Sequence, residues 1–318
     1  MSNTQRGGWR LWLAAYITVF LSNGAIMTLE LVAGRVVSPH LGMSLYTWTS
    51  IIGIVMAGMS VGNYAGGRLA DRRRARPTLA LLFLLAALGC GSVLITNDVA
   101  GNITGMRGLA WPLRIFLHTS FTFFLPAVIL GAISPMVAKM ALYSGGDAGR
   151  VMGGVFAAGV AGSILGTFAT GFYLLAVLPV PVIVAVSAAI LAATGVLYLV
   201  WAFARPEPAP ESVVPAQHID AAKPAWSFRE WFIPNATVFL SNAAFMVIEL
   251  AAMRIIARVF GASLYTWTSV IGIVLAGVTL GNFIGGRVAA RSWSGPAIMR
   301  VFASASLLAL VSPLISRI

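Results

Sequence analysis

The chain has 318 residues, of which 59% are hydrophobic and only 9% are charged, and its mean hydropathy is +0.90. Soluble domains are about one quarter charged, so water is not the main solvent of this protein. The formal net charge of +12 would suggest nucleic acid in a soluble protein. Here the basic residues stand at the ends of apolar runs, which is typical of membrane orientation and argues against nucleic acid as a partner.

Long apolar runs follow one another along the chain. A bilayer core about 30 Å thick needs roughly 20 apolar residues in a helix, whereas barrel strands are shorter and alternate in polarity. We therefore predict an all-α integral membrane protein with about nine transmembrane helices. The predicted spans are 11–33, 45–68, 77–96, 113–138, 151–175, 180–203, 232–253, 264–287 and 297–315.

The chain contains an internal repeat. The region from Val19 aligns with the region from Val238 without a gap, and about 30 of the 50 aligned positions are identical. Six predicted spans separate the two starts, so both copies have the same orientation across the membrane, as in a parallel repeat. We predict a first membrane repeat of six helices at 1–203 and a truncated second repeat of three helices at 231–318.

Residues 204–230 are rich in proline and in both charge signs, which predicts an extended cytoplasmic linker too short for a catalytic domain. The densest basic cluster follows span two and consists of Arg68, Arg72, Arg73, Arg74 and Arg76. By the positive-inside rule this cluster is cytoplasmic, and so is the N-terminus. We expect a multi-pass protein surrounded by the lipid bilayer of the cell inner (plasma) membrane.

Residues that commonly carry catalytic chemistry are few. Cys90 is the one cysteine, and the three histidines are scattered, so we expect no disulfide, no metal centre and no cofactor. No nucleophile stands near a base in a pattern that indicates a membrane-embedded enzyme, and we predict no catalytic residues.

Two glutamates inside apolar spans are the strongest indication of a site, because a charge within a bilayer is costly. Glu30 and Glu249 occupy equivalent positions in the two copies. Asn23 and Asn242 precede them by seven residues, or two helical turns, so each asparagine shares a helix face with its glutamate. If the copies pack about a pseudo-two-fold axis, both carboxylates line one polar cavity that binds a cationic substrate. Further candidates for the lining of that cavity are Asn63 and Asn282.

An alternative is that these carboxylates are structural. Glu30 would then pair with Arg35, and Glu249 with Arg254, near the ends of their spans. Both arrangements can hold in different conformations of one protein.

The segment SLYTWTS begins spans two and eight. Its aromatic residues Tyr46, Trp48, Tyr265 and Trp267 are expected at the depth of the membrane interface, where an aromatic belt accounts for them. The alternative is an aromatic box beside the carboxylates, which would attract an organic cation through the ring faces.

Span two contains Gly58, Gly62 and Gly66, four residues apart, and the second copy repeats this spacing; we expect close helix packing there. The segment from Gly67 to Arg76, GRLADRRRAR, then resembles the signature loop of major facilitator superfamily transporters. That resemblance implies that Asp71 pairs with basic residues such as Arg72 and helps to hold a cytoplasmic gate. The alternative is a basic loop that only orients the chain.

The sequence from Glu30 to Asp71 also resembles the membrane portion of the fused facilitator and spermidine synthase family. The pairs Leu125-Pro126 and Ser134-Pro135 and the stretch GVFAAGVAGSILG from residue 154 add to the resemblance, which covers nearly all predicted spans. It implies a facilitator-like fold. Phe156 and Gly159 stand where the family tends to have tyrosine and asparagine, which removes two polar groups.

Members of that family often carry an aminopropyltransferase domain with catalytic aspartates, and the acidic residues of this chain form no such group. They are Glu30, Asp71, Asp98, Asp147, Glu207, Glu211, Asp220, Glu230 and Glu249. We expect no aminopropyl transfer by this chain. The resemblance instead implies a module that binds or transports a small cationic substrate such as a polyamine. The alternative is a membrane anchor or assembly subunit for a separately encoded synthase-like partner, and a homodimer is expected.

Overall fold

The computed structural model describes residues 3–103, 105, 108–142, 148–204, 227–261, 263–291, 300 and 303–307. Seven helices within these ranges are long and apolar enough to cross a membrane, and no strand occurs in them. The prediction of an all-α, multi-pass membrane protein is therefore confirmed. The described residues contain seven such candidate spans rather than nine, and the predicted span 297–315 lies mostly outside them.

The chain divides into two compact units, Met1–Pro215 and Ala216–Ile318. Six long helices form the first unit, and they match the first six predicted spans. They are α1 (Asn3–Leu41), α2 (Leu45–Arg72), α3 (Ala75–Asn102), α4 (Trp111–Leu142), α5 (Ala148–Phe168) and α6 (Val180–Ala204). Helix α5 continues through a π-helical segment, Ala169–Leu174, and a short α-helical turn, Leu175–Val177.

Glycines allow helices of the first unit to pack with their backbones in contact. Helix α2 packs along α4, where a β carbon added at Gly58 would lie 2.7 Å from that of Ala127. From the other side, a β carbon at Gly131 would lie 2.7 Å from the carbonyl oxygen of Met59. Because small residues bring helices together where lipid provides no hydrophobic drive, these contacts fix α2 against α4.

Helix α1 packs along α5 in the same manner. A β carbon at Gly166 would lie 2.6 Å from the carbonyl oxygen of Gly24, and one at Gly24 would lie 3.2 Å from that of Gly162. A pair of hydroxyl groups also joins α1 to the π-helical segment that continues α5: the Thr28 and Thr170 hydroxyls lie 2.9 Å apart. The predicted role of the span-two glycines in helix packing is therefore confirmed for α2 and α4, and α1 and α5 use glycine in the same way.

The second unit contains α7 (Phe228–Phe260), which packs on α8 (Leu264–Arg291). Helix α8 begins 219 residues after α2 begins, and α7 ends 219 residues after α1 ends, which is the offset of the sequence repeat. The two turns also share a left-handed glycine, with φ +66° at Gly42 and φ +80° at Gly261. Only glycine adopts this conformation without a steric cost.

The first residues after each glycine make the same hydrogen bonds. The Ser44 hydroxyl accepts from the backbone N–H of Thr47 at 3.2 Å, and the Thr47 hydroxyl donates to the Gly42 carbonyl at 3.1 Å. At the second turn the corresponding distances are 3.2 Å for Ser263 and Thr266 and 3.0 Å for Thr266 and Gly261. The serine satisfies an otherwise unpaired N–H at the start of each helix.

Candidate binding cavity

A cavity of about 810 Å³ lies in the first unit between α1, α2, α4 and α5. Its size falls in the range of small-molecule sites. The residues that line it are Val19, Asn23, Met59, Asn63, Gly67, Ala70, Asp71, Gly131, Ser134, Pro135, Ala138, Lys139, Leu142, Met152, Val155, Phe156, Val160 and Ser163.

Four neutral polar side chains converge on this cavity, one from each helix. They are Asn23 of α1, Asn63 of α2, Ser134 of α4 and Ser163 of α5. Amides and hydroxyls both donate and accept hydrogen bonds, so together they can bind ammonium, hydroxyl or carboxyl groups. Two predicted polar residues, Asn23 and Asn63, are thus brought together, while the two serines had appeared in the sequence only within motifs of the resemblance and not as site residues.

Gly159 determines where the amide of Asn23 lies. The α carbon of Gly159 lies so close to the Asn23 Nδ2 atom that any β carbon would overlap it. The Asn23 amide of α1 therefore occupies the space that a side chain at residue 159 would take. Phe156 is 66% exposed and is one of the residues that line the cavity.

The cavity wall also contains a weakened section of helix. Pro135 lies inside α4 and lines the cavity together with Gly131, four residues earlier. Because proline has no N–H, the carbonyl of Gly131 loses the donor that it would have in a regular helix. Helix α4 nevertheless continues through Pro135 to Leu142.

An ion pair stands at the rim of the cavity. Lys139 Nζ of α4 lies 2.8 Å from Asp71 Oδ1 of α2, and their side chains are 23% and 77% exposed. Asp71 lies in the last turn of α2, because that helix extends to Arg72, four residues beyond the predicted end of the span. A carboxylate near a helix C-terminus is unfavourable, and a cation beside it offsets that cost. Arg72 is exposed.

Glu30 lies on α1, two turns beyond Asn23 and about 10 Å further along the axis, and its side chain is 4% exposed. It is not one of the residues that line the cavity. Arg35 is exposed. Arg35 follows Glu30 by five positions, so the two side chains point about 140° apart around the helix. Whether Glu30 pairs with Arg35 or meets a substrate stays a prediction.

The aromatic residues of SLYTWTS differ in exposure. Tyr46 is 61% exposed, whereas Trp48 is 2% exposed. The Trp48 ring packs on Gly34 of α1, where an added β carbon would lie 3.0 Å from ring carbon Cζ2. The tryptophan is thus part of the packing between α1 and α2 and does not line the cavity.

In the second unit, as in the first, the glutamate and the tryptophan are buried and the tyrosine is exposed. Glu249 is 7% exposed, Trp267 is 7% exposed and Tyr265 is 50% exposed. Asn242 is exposed and donates to the Val238 carbonyl of its own helix at 2.8 Å, and Arg254 is exposed. A cavity shared by Glu30 and Glu249 would involve both units and stays a prediction.

A buried polar cluster at the opposite end of the first unit was missed in the sequence. His118 is 1% exposed, and its Nε2 atom lies 2.8 Å from Asn97 Oδ1. The Asn97 amide also donates to the Val36 carbonyl at 3.0 Å, and His40 lies 3.3 Å from Asp98. The signal available in the sequence was a histidine inside the predicted span 113–138 and an asparagine one residue beyond the predicted end of span 77–96.

Comparisons with protein-family models, with curated proteins and with solved structures found no match. The cavity and its lining therefore carry the functional argument.

Proposed function

We propose that the chain is an integral membrane module of the spermidine synthase-like type that binds and transports a small cationic substrate such as a polyamine. The observation that carries this proposal is the 810 Å³ cavity between four helices, which presents hydrogen-bonding groups from each of them. A membrane helix bundle that only anchors a partner has no need of such a space.

The lining supports a cation with an apolar body. Acceptors are available from the Asn23 and Asn63 amides and from the Gly131 carbonyl, and Asp71 supplies a negative charge at the rim. The ring of Phe156 can attract an ammonium group through its face. Methylene groups between the charges of a polyamine would contact the thioether and aliphatic side chains of the wall.

The repeat supports a facilitator-like architecture. The two copies have helix ends at the same offset, the same left-handed glycine and the same serine cap. In the proposed arrangement the copies are parallel repeats, a ninth helix lies at 297–315, and Glu249 is the counterpart of Glu30. A cation that moved past Asn23 along α1 would then meet the Glu30 carboxylate next.

We place the Asp71 end of the first unit in the cytoplasm of a cell with an inner (plasma) membrane. Arg72, Arg73 and Arg74 are exposed at the turn that joins α2 to α3, and Arg76 stacks 4.4 Å above the Trp201 ring. Clustered arginines at one end of a bundle are typical of the cytoplasmic side. The cavity would then be reached from the cytoplasm.

The exposed arginines also favour a second candidate function. A separately encoded synthase-like subunit with an acidic surface could dock on Arg72, Arg73 and Arg74, and the chain would then be an anchor. In that case the cavity lining would have no effect on any solute flux.

Uptake of labelled putrescine and spermidine into proteoliposomes tests the proposal. Wild type should exceed empty liposomes, and Asn63→Leu should reduce uptake because it replaces a cavity amide by an apolar group. Asn102→Leu is the matched control, since Asn102 is exposed and outside the cavity. Wild-type uptake equal to that of empty liposomes, with stable copurification of a synthase-like protein, would favour the anchor.

A further inference from the structure

The ion pair at the cavity rim joins two groups of unequal exposure. Lys139 reaches Asp71 from the last turn of α4, and both residues line the cavity. The lysine side chain is 23% exposed and the aspartate is 77% exposed, so the carboxylate is accessible to solutes while it holds the ammonium group.

The side chain of lysine ends in a primary ammonium group on a four-carbon chain. That is the chemistry of one end of a diamine such as putrescine. A carboxylate at 2.8 Å from Lys139 Nζ is therefore also placed to accept a bond from the ammonium group of a free alkylamine. The protein itself shows which chemical group Asp71 holds at this point of the cavity.

We infer that Lys139 is a built-in competitor for the ammonium site on Asp71, and that an alkylammonium substrate binds there by displacing it. The inference rests on the proposed function, because it assigns the cationic substrate of the same cavity to a particular carboxylate. It makes Lys139 a specificity-determining residue that lowers affinity without contacting the bound substrate.

The exchange is nearly balanced in energy. One ion pair with an exposed carboxylate is broken and another of the same kind is formed, and such pairs contribute little in water. The glycine contacts between α2 and α4 hold the two helices together independently of the ion pair. Displacement of Lys139 therefore opens the binding site without separating the helices. Weak binding also suits a transporter, which must release what it binds.

Titration calorimetry of the full chain in nanodiscs, with putrescine as the probe, tests the inference. Lys139→Met removes the competing ammonium group and keeps an apolar chain of similar length, so the Kd for putrescine should fall by about two- to fivefold. Lys139→Arg keeps a cation beside Asp71 and should bind like wild type. Asp71→Asn should weaken binding in the wild-type and in the Lys139→Met background.

Arg73→Met is the matched control for net charge, since it removes an exposed cation two residues after Asp71 that is not singled out as a partner of that carboxylate. An equal gain of affinity in Arg73→Met and Lys139→Met would overturn the inference, because the effect would then be one of charge alone. Thermal unfolding verifies that each variant folds, and Lys139→Gln replaces Lys139→Met if the latter does not.

The two proposals fail in different ways. If wild type binds putrescine and neither Lys139→Met nor Lys139→Gln binds it more tightly, the competitor role is wrong and the transport proposal stands. If wild type neither binds nor takes up putrescine or spermidine, the proposed function itself is wrong.

Discussion

The backbone of Gly62 in α2 lies directly against the carbonyl oxygen of Val128 in α4, so that a β carbon at residue 62 would collide with it. Backbone cannot move aside as a flexible side chain can, and the two helices would have to part. Overpacking usually costs about 1 to 3 kcal/mol, and Gly62→Leu should reach or exceed that range. Thermal unfolding in nanodiscs, followed by tryptophan fluorescence, measures the loss.

Gly281 is the matched control, because it is the repeat equivalent of Gly62. Among the described residues nothing lies within 4 Å of a β carbon at Gly281, and the position is exposed. Gly281→Leu should therefore leave the unfolding temperature nearly unchanged. An equal loss in both variants would mean that another helix covers Gly281 in the membrane.

Removal of the Asn97 side chain should destabilise the opposite end of the first unit. Asn97 bonds both the His118 ring and the Val36 carbonyl, and it is 4% exposed. Asn97→Ala leaves His118 without this partner inside the bundle, which should cost about 1 to 3 kcal/mol. The same unfolding measurement checks this value.

The control for Asn97 is on the same helix. Asn102 is exposed and donates to the Asp98 carbonyl at 2.9 Å, so Asn102→Ala should change stability by no more than about 0.5 kcal/mol. A similar loss of stability in Asn97→Ala and Asn102→Ala would show that the buried contact with His118 contributes no more than an exposed hydrogen bond.

Gly159→Ala should alter the cavity more than the stability of the fold. The new methyl group would overlap the end of the Asn23 side chain, which can rotate away at little cost. The Asn23 amide would then leave its place in the cavity, and the KM for putrescine uptake should rise. Gly153→Ala is the control on the same helix, since no described atom lies within 4 Å of a β carbon there. An unchanged KM in Gly159→Ala would exclude the Asn23 amide from substrate binding.

The sequence predicted the membrane class, the first six spans and the use of glycine for close packing, because each depends on composition or on spacing within one helix. The spacing of glycines within one helix does not predict which other helix packs against them. Gly62 and Gly281 have the same sequence surroundings, yet only Gly62 contacts a neighbouring backbone among the described residues. The partners of α2 follow from the tertiary arrangement.

The cavity was only partly predictable for the same reason. Asn23 and Asn63 stood out as polar residues in apolar spans, whereas Ser134 and Ser163 are ordinary residues of membrane helices and were not predicted to line a site. Asn97 and His118 lie on two different helices, α3 and α4, so the residue spacing within one helix could not predict their contact. Trp48 could equally have faced the interface, and its burial follows from the space that Gly34 leaves.

The two buried glutamates allow the sharpest test of transport against structure. Glu30 and Glu249 are 4% and 7% exposed, and glutamine has nearly the same shape without the charge. If the carboxylates meet a cation during transport, Glu30→Gln and Glu249→Gln should each lower the rate of putrescine uptake about tenfold or more, since bonds to charged groups are strong. Asp98→Asn is the control, because its 73% exposed carboxylate belongs to the opposite end of the first unit. Uptake at the wild-type rate, together with equal destabilisation by Glu30→Gln and Arg35→Gln, would instead assign Glu30 to a structural pair with Arg35.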